Sequence, residues 1–533
     1  MMKTFGTLSS RLRSTGARAA LAVALAGAAL PASAETVTLK SADGTVDLTG
    51  EFVAFEDNAY VIRTALGELR LSAERVRCEG AACPSFETAA ADVQFKGSDT
   101  VGLGVMPLLL EGYAGSMDAE ATISATSIEN EILAAMVGDG GFGDELGRYL
   151  VTSTTSGDAF DALLDKSAQI GMASRRIKPD EARALRDAGA GNMIAADQEH
   201  IVAVDSLVVV IHPDNPVRRL TMEELASVYS GQITNWSQLG GADVPIRIVD
   251  RPDGSGTRAV FAKAVFGDAA MPILPAAIVA ADNNDAAAAV NGDPGAIGFV
   301  GYAFQRGAKA LSLVNACGLT MTPDAFSART EEYALQRRLY LYNRADTTDA
   351  DTASFLDFVK SEGADALIRK AGFIDLGVER KPQSLEGDRA RALLDPTADA
   401  YEGGVMREML GVMVDYDRLS TTFRFRTGSS KLDERGRIDM ARLADYLQDA
   451  PQGARVMFVG FTDDVGSFDA NRALSRDRAT QVMEELRAYA GDRLAGLDLA
   501  AEGFGEVAPS GCNTSDRGRA INRRVEVWLQ AAR

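Results

Sequence analysis

Two arginines bracket a short run of small polar residues in Arg251-Pro252-Asp253-Gly254-Ser255-Gly256-Thr257-Arg258, and these types at this spacing can hold a tetrahedral anion. The glycines let the backbone turn. Amide N–H groups and the hydroxyls of Ser255 and Thr257 then converge at the start of a helix, where unpaired donors and the positive end of the dipole face outward. Arg251 and Arg258 can add charge-assisted, bidentate hydrogen bonds. Taken alone, a plain strand-to-helix turn has the same composition. Catalysis has less to build on. The two histidines, His200 and His212, stand in no metal-ligand or triad spacing, so no catalytic residue, metal or cofactor is expected.

The elements that must position this turn are legible around it. A strand-like Ile246-Arg247-Ile248-Val249 precedes it and a helical Ala259 to Phe266 follows. From about residue 92 to 375 strands and helices alternate, as in Ser206-Leu207-Val208-Val209-Val210-Ile211 followed by a helical Thr221 to Tyr229, which predicts an α/β domain. Residues 35–85 instead show short alternating runs, such as Tyr60-Val61-Ile62, broken by turn dipeptides. They predict hairpins and a small β module. Residues 376–416 read as a charged, helical linker. Residues 417–533 repeat strand, helix, strand, helix, strand, a βαβαβ unit and a separate domain. The whole is an α/β multidomain chain.

The middle segment resembles the periplasmic phosphate-binding proteins of ABC transporters. The resemblance rests on Lys96-Gly97-Ser98-Asp99-Thr100-Val101, Thr152 to Gly157, Ile170-Gly171-Met172-Ala173-Ser174-Arg175, Ile233-Thr234-Asn235-Trp236, the Arg251 to Arg258 turn and Gly295 to Val300. It implies a two-lobed periplasmic-binding-protein domain of the type II-like kind. The implied anion contacts are Thr100 and Val101 in a first turn, Thr154, Thr155 and Ser156 in a second, Ser174, and Arg251, Ser255, Gly256 and Thr257 in a third. Two departures bear on the ligand. Members that accept the proton of hydrogen phosphate carry Ser-Asp where this chain has Ser174-Arg175, and the second turn is richer in threonine. Without an acceptor, hydrogen phosphate and sulfate are harder to tell apart; Asp99 is the candidate replacement, with turn-capping as its plain structural alternative. For Asp253, capping or pairing with Arg251 is the preferred reading.

The last segment resembles the C-terminal domain of outer membrane protein A, the OmpA-like peptidoglycan-binding family. The matching residues are Gly460 to Gly466, Asn471, Leu474-Ser475-Arg476-Asp477-Arg478-Ala479, Gly503 to Glu506 and Gly518 to Glu526. Diaminopimelate in the stem peptide carries an ammonium and a carboxylate on one carbon, which a loop carboxylate and a helix guanidinium can hold together. The resemblance implies Asp463 for the ammonium and Arg478 for the carboxylate, with Thr462, Asn471 and Leu474 shaping the site. An internal Asp463–Arg478 ion pair is the alternative, and Asn522, Arg523 and Arg524 are read mostly as scaffold.

Composition and targeting agree with an envelope protein. A net charge of −20 opposes nucleic-acid binding. Residues 1–34 read as a signal peptide: Lys3, Arg11, Arg13 and Arg18 precede an apolar run ending at Leu30, followed by Ala32-Ser33-Ala34. Export permits disulfides, and Cys78 and Cys83, five positions apart, are expected to pair. Cys317 and Cys512 lie in different segments, and the sequence leaves them either paired through a long-range contact or as buried thiols. The expected function is a periplasmic, peptidoglycan-associated receptor for phosphate or a similar oxyanion, with a placement near the outer membrane and an ABC importer or envelope sensor as further partner. The alternatives are a ligand-free envelope scaffold and, third, a phosphatase, which would need an activated nucleophile or metal.

Overall fold

The computed structural model describes residues 36–41, 46–56, 59–65, 67–72, 76–80, 82–83, 91–267, 269–272, 274–385, 388–394, 400–425 and 434–530; the expected signal peptide lies outside the described residues. Near residue 84 the chain divides into two compact units.

The first unit is an antiparallel sheet of five strands in the order Gly67–Ser72, Ala59–Thr64, Asp47–Glu56, Thr36–Lys40, Arg77–Glu79. Alternation drives it. In Thr36–Lys40 the buried positions are Val37 and Leu39, which pack one face with Tyr60 and Ile62 while the intervening residues face water. Cys78 and Cys83 are disulfide-bonded, their Cα atoms 5.7 Å apart.

In the second unit, one long strand, Glu199–Ile211, passes through both lobes, and a second, Gln336–Asn343, starts at their boundary and runs into one of them. From Glu199 to Ser206 the first pairs with the second; from Leu207 to Ile211 it pairs with Ala296–Gly301. That change of partner marks the boundary between lobes. One lobe adds Ile170–Ala173, Val93–Ser98, Glu145–Thr154, Glu131–Val137 and Ala119–Ala125 beyond the second strand, and the other adds Arg247–Asp250 and Ile278–Val279 beyond Ala296–Gly301. Leu207 to Ile211 are fully buried, as an unbroken apolar run covered on both faces requires. Helices begin where side chains cap them. Thr155 and Asp158 form a reciprocal capping box at Ser156–Asp165, and Ser255 caps Gly256–Phe266.

The C-terminal sheet has the order Arg380–Pro382, Tyr416–Arg424, Arg524–Gln530, Arg455–Phe461, Asp498–Gly503. Helices Glu434–Gln448 and Phe468–Ala490 cover one face. The close seat of the second depends on glycine, because a Cβ on Gly460 would lie 1.9 Å from the Ser475 carbonyl oxygen. One expectation is extended and one corrected. Asp498–Gly503 and the helix Asp516–Asn522 add to the βαβαβ pattern; the small residues of Asp498-Leu499-Ala500-Ala501 hide a strand. The segment 376–416 is more than a linker. Arg380–Pro382 pairs with Tyr416–Arg424 as an edge strand, and helix Ala400–Met413 packs Val405, Met406, Met409 and Met413 against Met457, Val459, Phe461 and Trp528 on the second face of the sheet. Without it that apolar face would meet water.

This sheet is also tied to the lobes. Arg418 donates to both oxygens of Glu332 at 2.8 and 3.1 Å, Arg424 to Glu331 at 3.1 Å, and Arg442 to Asp365 at 2.6 Å. Cys317 and Cys512, 195 positions apart, are disulfide-bonded with Cα atoms 5.6 Å apart, within the range a disulfide spans. Denatured, unreduced mature protein should therefore expose no titratable thiol. Cys512→Ser should release one thiol, that of Cys317, and lower stability by about 2–4 kcal/mol in a urea titration; a free Cys317 in the parent protein would contradict the pairing.

Candidate functional site

The resemblance pointed to turns at the ends of four strands, and these meet between the lobes. Thr100 follows Val93–Ser98, Ser156 follows Glu145–Thr154, Ser174 follows Ile170–Ala173, and Ser255, Gly256 and Thr257 open the helix beyond Arg247–Asp250. Ser156 and Ser174 hydroxyl oxygens lie 3.2 Å apart, those of Thr100 and Thr257 3.4 Å apart. Across the cleft, a Cβ on Gly256 would fall 2.2 Å from Ser156 Oγ and 2.3 Å from Ser174 Oγ, so only glycine lets this backbone approach. Thr100, Ser156, Ser174 and Thr257 are all fully buried.

Arg251 is buried and already engaged. Its Nη2 donates to Asp99 Oδ2 and to the Ala281 carbonyl, each at 3.0 Å, and its Nε to the Ala280 carbonyl at 3.1 Å. Its Nη1 has no hydrogen-bond partner and neither do the buried hydroxyls of Ser98 and Thr154. Buried donors in this condition are costly unless something accepts from them.

Several sequence-assigned residues take other places. Val101 is a core side chain, leaving only its backbone for a ligand. Thr155 spends its amide and its hydroxyl on Asp158. Arg258 pairs with Asp250 and Asp253, so the partner of Asp253 is Arg258 rather than Arg251. Asp99 Oδ2 accepts from Arg251 Nη2 and from the Asn283 amide and side chain.

Three residues that sequence reasoning missed complete the cleft. Arg337 donates through Nη1 to Thr257 Oγ1 at 2.7 Å and through Nη2 to Thr100 Oγ1 at 3.2 Å. The same guanidinium bonds Asp205 Oδ2 at 2.9 and 2.7 Å. Asn283 Nδ2 donates to Thr100 Oγ1 at 3.0 Å. A hydroxyl that accepts in this way keeps its own proton to donate, so Arg337 and Asn283 turn Thr100 and Thr257 into donors. The available signal was Arg337-Arg338 inside a strand that otherwise reads as buried, since buried charge demands partners.

At the C-terminal site, Asp463 lies just beyond Arg455–Phe461, and Asn471 and Arg478 project from one face of Phe468–Ala490. Thr462, Asp463, Asn471 and Arg478 are buried, and Leu474 is partly exposed at the rim. Asn471 Nδ2 donates to the Asp463 carbonyl and to Glu506. Asp463 pairs with Arg523 Nη1 at 2.6 Å, so the internal partner is Arg523, read from sequence as scaffold, and not Arg478. The Arg478 guanidinium lies 5.1 Å from the Phe425 ring centroid. Burial, and next the nearby Arg523, hold it below the usual arginine value, with Asp463 acting the other way. Asn522 and Arg524 are scaffold: Asn522 bonds Gly511 and Asn513, and Arg524 bonds Glu526 and stacks on Phe461.

A donor-lined cleft between two lobes joined by a long strand defines the architecture of a solute-binding fold. Residues 111–384, just over half of the chain, match the PBP superfamily domain, and the chain belongs to that superfamily. Residues 424–523 match the OmpA family. The chain is 32% identical over 180 residues to the phosphate-binding protein PstS of Bacillus subtilis, covering 33% of this chain and 57% of that protein. It therefore spans little more than half of that relative. Protein SphX of Synechococcus elongatus is 29% identical over 239 residues, 42% of this chain and 67% of that one. The crystal structure of an ABC-type phosphate transport receptor from Vibrio cholerae aligns with a TM-score of 0.39 and 26% identity, over 53% of this chain and 99% of that chain.

The Arg337–Asp205 pair supplies a test of the cleft's construction. Arg337→Met should destabilise the protein by about 3–5 kcal/mol by stranding a buried carboxylate, and adding Asp205→Leu should recover most of that loss in urea titrations of the full chain. Equal losses for the single and double variants would show that the pair does not organise the cleft.

Proposed function

We propose that the protein is a non-enzymatic periplasmic receptor for phosphate, anchored non-covalently to peptidoglycan by its OmpA-family domain. The observation that carries the first half is the meeting between the lobes of four buried hydroxyls, those of Thr100, Ser156, Ser174 and Thr257, with Arg251, whose Nη1 is unpartnered, linked to Thr100 through Asp99 and Asn283. Both cleft arginines already have carboxylate partners, Asp99 and Asp205. An entering oxyanion is therefore held chiefly by aligned donors and the helix N-terminus at Gly256, with little net charge to neutralise it. Lobe closure follows from one ligand contacting both sides. The relatives named for phosphate binding support the choice of ligand, and an ABC importer or an envelope sensor is the receiving partner.

Asp99 supplies selectivity in this reading. Its carboxylate accepts from Arg251 Nη2, and hydrogen phosphate has a proton to donate where sulfate has none. In calorimetric titration of the full mature chain, phosphate should bind, and Arg251→Ala should weaken it at least about tenfold. Asp99→Asn should shift the phosphate-to-sulfate affinity ratio. An unchanged phosphate affinity in a folded Arg251→Ala protein removes the site assignment; an unchanged ratio removes the role of Asp99.

The wall-binding half rests on a carboxylate, Asp463, just beyond Arg455–Phe461 and a buried guanidinium, Arg478, on the helix beside it. A diaminopimelate ammonium would take the Asp463 oxygen now given to Arg523, and its carboxylate would meet Arg478 and Arg523. The edge strand Arg380–Pro382 and the helix Ala400–Met413 belong to this fold, so the test uses the whole chain. It should co-sediment with diaminopimelate-type peptidoglycan. Asp463→Ala and Arg478→Ala should each abolish most of that binding, and the double variant should lose little more, as for groups acting on one ligand. Full retention by both folded single variants would leave these residues as internal structure.

A further inference from the structure

The strand that carries Arg337 has a second polar side. Gln336 and Arg338, two positions apart and so on one face of the strand, line a cavity of about 740 Å³ together with Arg337 itself. The walls come from three places: Arg176 from one lobe, Val260 from the other, and Ile438 from the C-terminal helix Glu434–Gln448. The cavity adjoins the inner cleft, because the same Arg337 guanidinium bonds Thr100 and Thr257.

Its hydrogen-bonding groups are unevenly satisfied. Arg175 bonds Glu181 through two nitrogens and Arg176 bonds Glu199 through two, and Arg337 is held by Asp205. Arg338 differs. It is 8% exposed, and its Nε and Nη1 make no hydrogen bond. The nearest carboxylate oxygens, Glu331 Oε1 at 3.6 Å and Asp439 Oδ2 at 3.7 Å, are beyond hydrogen-bond reach. Gln336 Oε1 is likewise buried without a donor. Two unmet donors beside one unmet acceptor complement an oxyanion that still carries a proton; sulfate could use the donors but has nothing to offer the glutamine oxygen. Among the described residues four arginines line the space, three of them held by Glu181, Glu199 and Asp205, so Arg338 is the cation there whose Nε and Nη1 are left for an entering anion.

We propose that this cavity is a second, weaker site for hydrogen phosphate, held by Arg338 and Gln336 beside the inner cleft. The choice of ligand rests on the phosphate reading of that cleft; the site itself rests on the unmet groups. Because Ile438 and Asp439 belong to the C-terminal domain, the second site is complete only while that domain is docked on the lobes.

Equilibrium dialysis of the full mature chain against radiolabelled inorganic phosphate, carried to millimolar concentration, tests it. Two phosphates per chain are expected, the second at least about a hundredfold weaker. Arg338→Met should abolish the weaker one and leave the tight constant within about twofold. Gln336→Leu should weaken the second phosphate but not the binding of sulfate there, a readout that a general loss of folding would not give. A single tight phosphate, unaltered by Arg338→Met, overturns the second site and leaves the inner reading intact. A single weak phosphate lost in Arg338→Met supports the second site and overturns the inner one. No binding at all overturns both.

Discussion

The ion pair between Asp205 and Arg337 is the constraint on which the receptor fold turns. The two residues face each other in register where the strand that runs through both lobes meets the start of Gln336–Asn343, and both are almost wholly buried. Charges at that depth are tolerated only when paired and hydrogen-bonded. Arg337 meets that demand with Asp205, then spends its remaining donors on Thr100 from one lobe and Thr257 from the other. The group that makes the hinge strands compatible with burial therefore also fixes which way the cleft hydroxyls point. Arg251 repeats the device with Asp99 and Asn283. The cleft is left close to neutral and rich in donors, a suitable environment for an anion that must lose most of its water.

A second charged network joins the two lobes to the OmpA-family domain. Glu526 is fully buried at the centre of the C-terminal sheet. Burial alone would raise its pKa, but Arg389, Arg418 and Arg524 hold it well below the usual carboxylate range. Arg418 also reaches Glu332 on the lobe that carries Ala296–Gly301, and the Cys317–Cys512 bond ties that lobe to the same domain. Arg442, from helix Glu434–Gln448, reaches Asp365 in helix Glu362–Lys370, which packs on the other lobe. A domain fastened to both lobes resists their separation, because opening the cleft must stretch one fastening or carry the domain with it. Motion of the lobes and placement of the C-terminal domain are mechanically linked in this fold.

Local sequence determined much of this protein. The alternation of 35–85 made hairpins, the glycine–hydroxyl turns made helix starts, and the spacing from Gly460 through Arg478 made a loop and helix with opposite charges. Each depends on neighbours a few positions apart, where backbone geometry sets the outcome. Tertiary structure alone decided the partners. Arg337 meets Asp205 across 132 positions and Thr100 across 237, Asp463 takes Arg523 across 60, and Cys317 finds Cys512 across 195. Helix Ala400–Met413, which looked like a connector, became part of a core because an apolar sheet face lay open beside it. Long, flexible side chains can reach many partners, and the one chosen is set by strand register and by which burial leaves no charge or polar group unmatched. Those conditions exist only once the distant strands have paired.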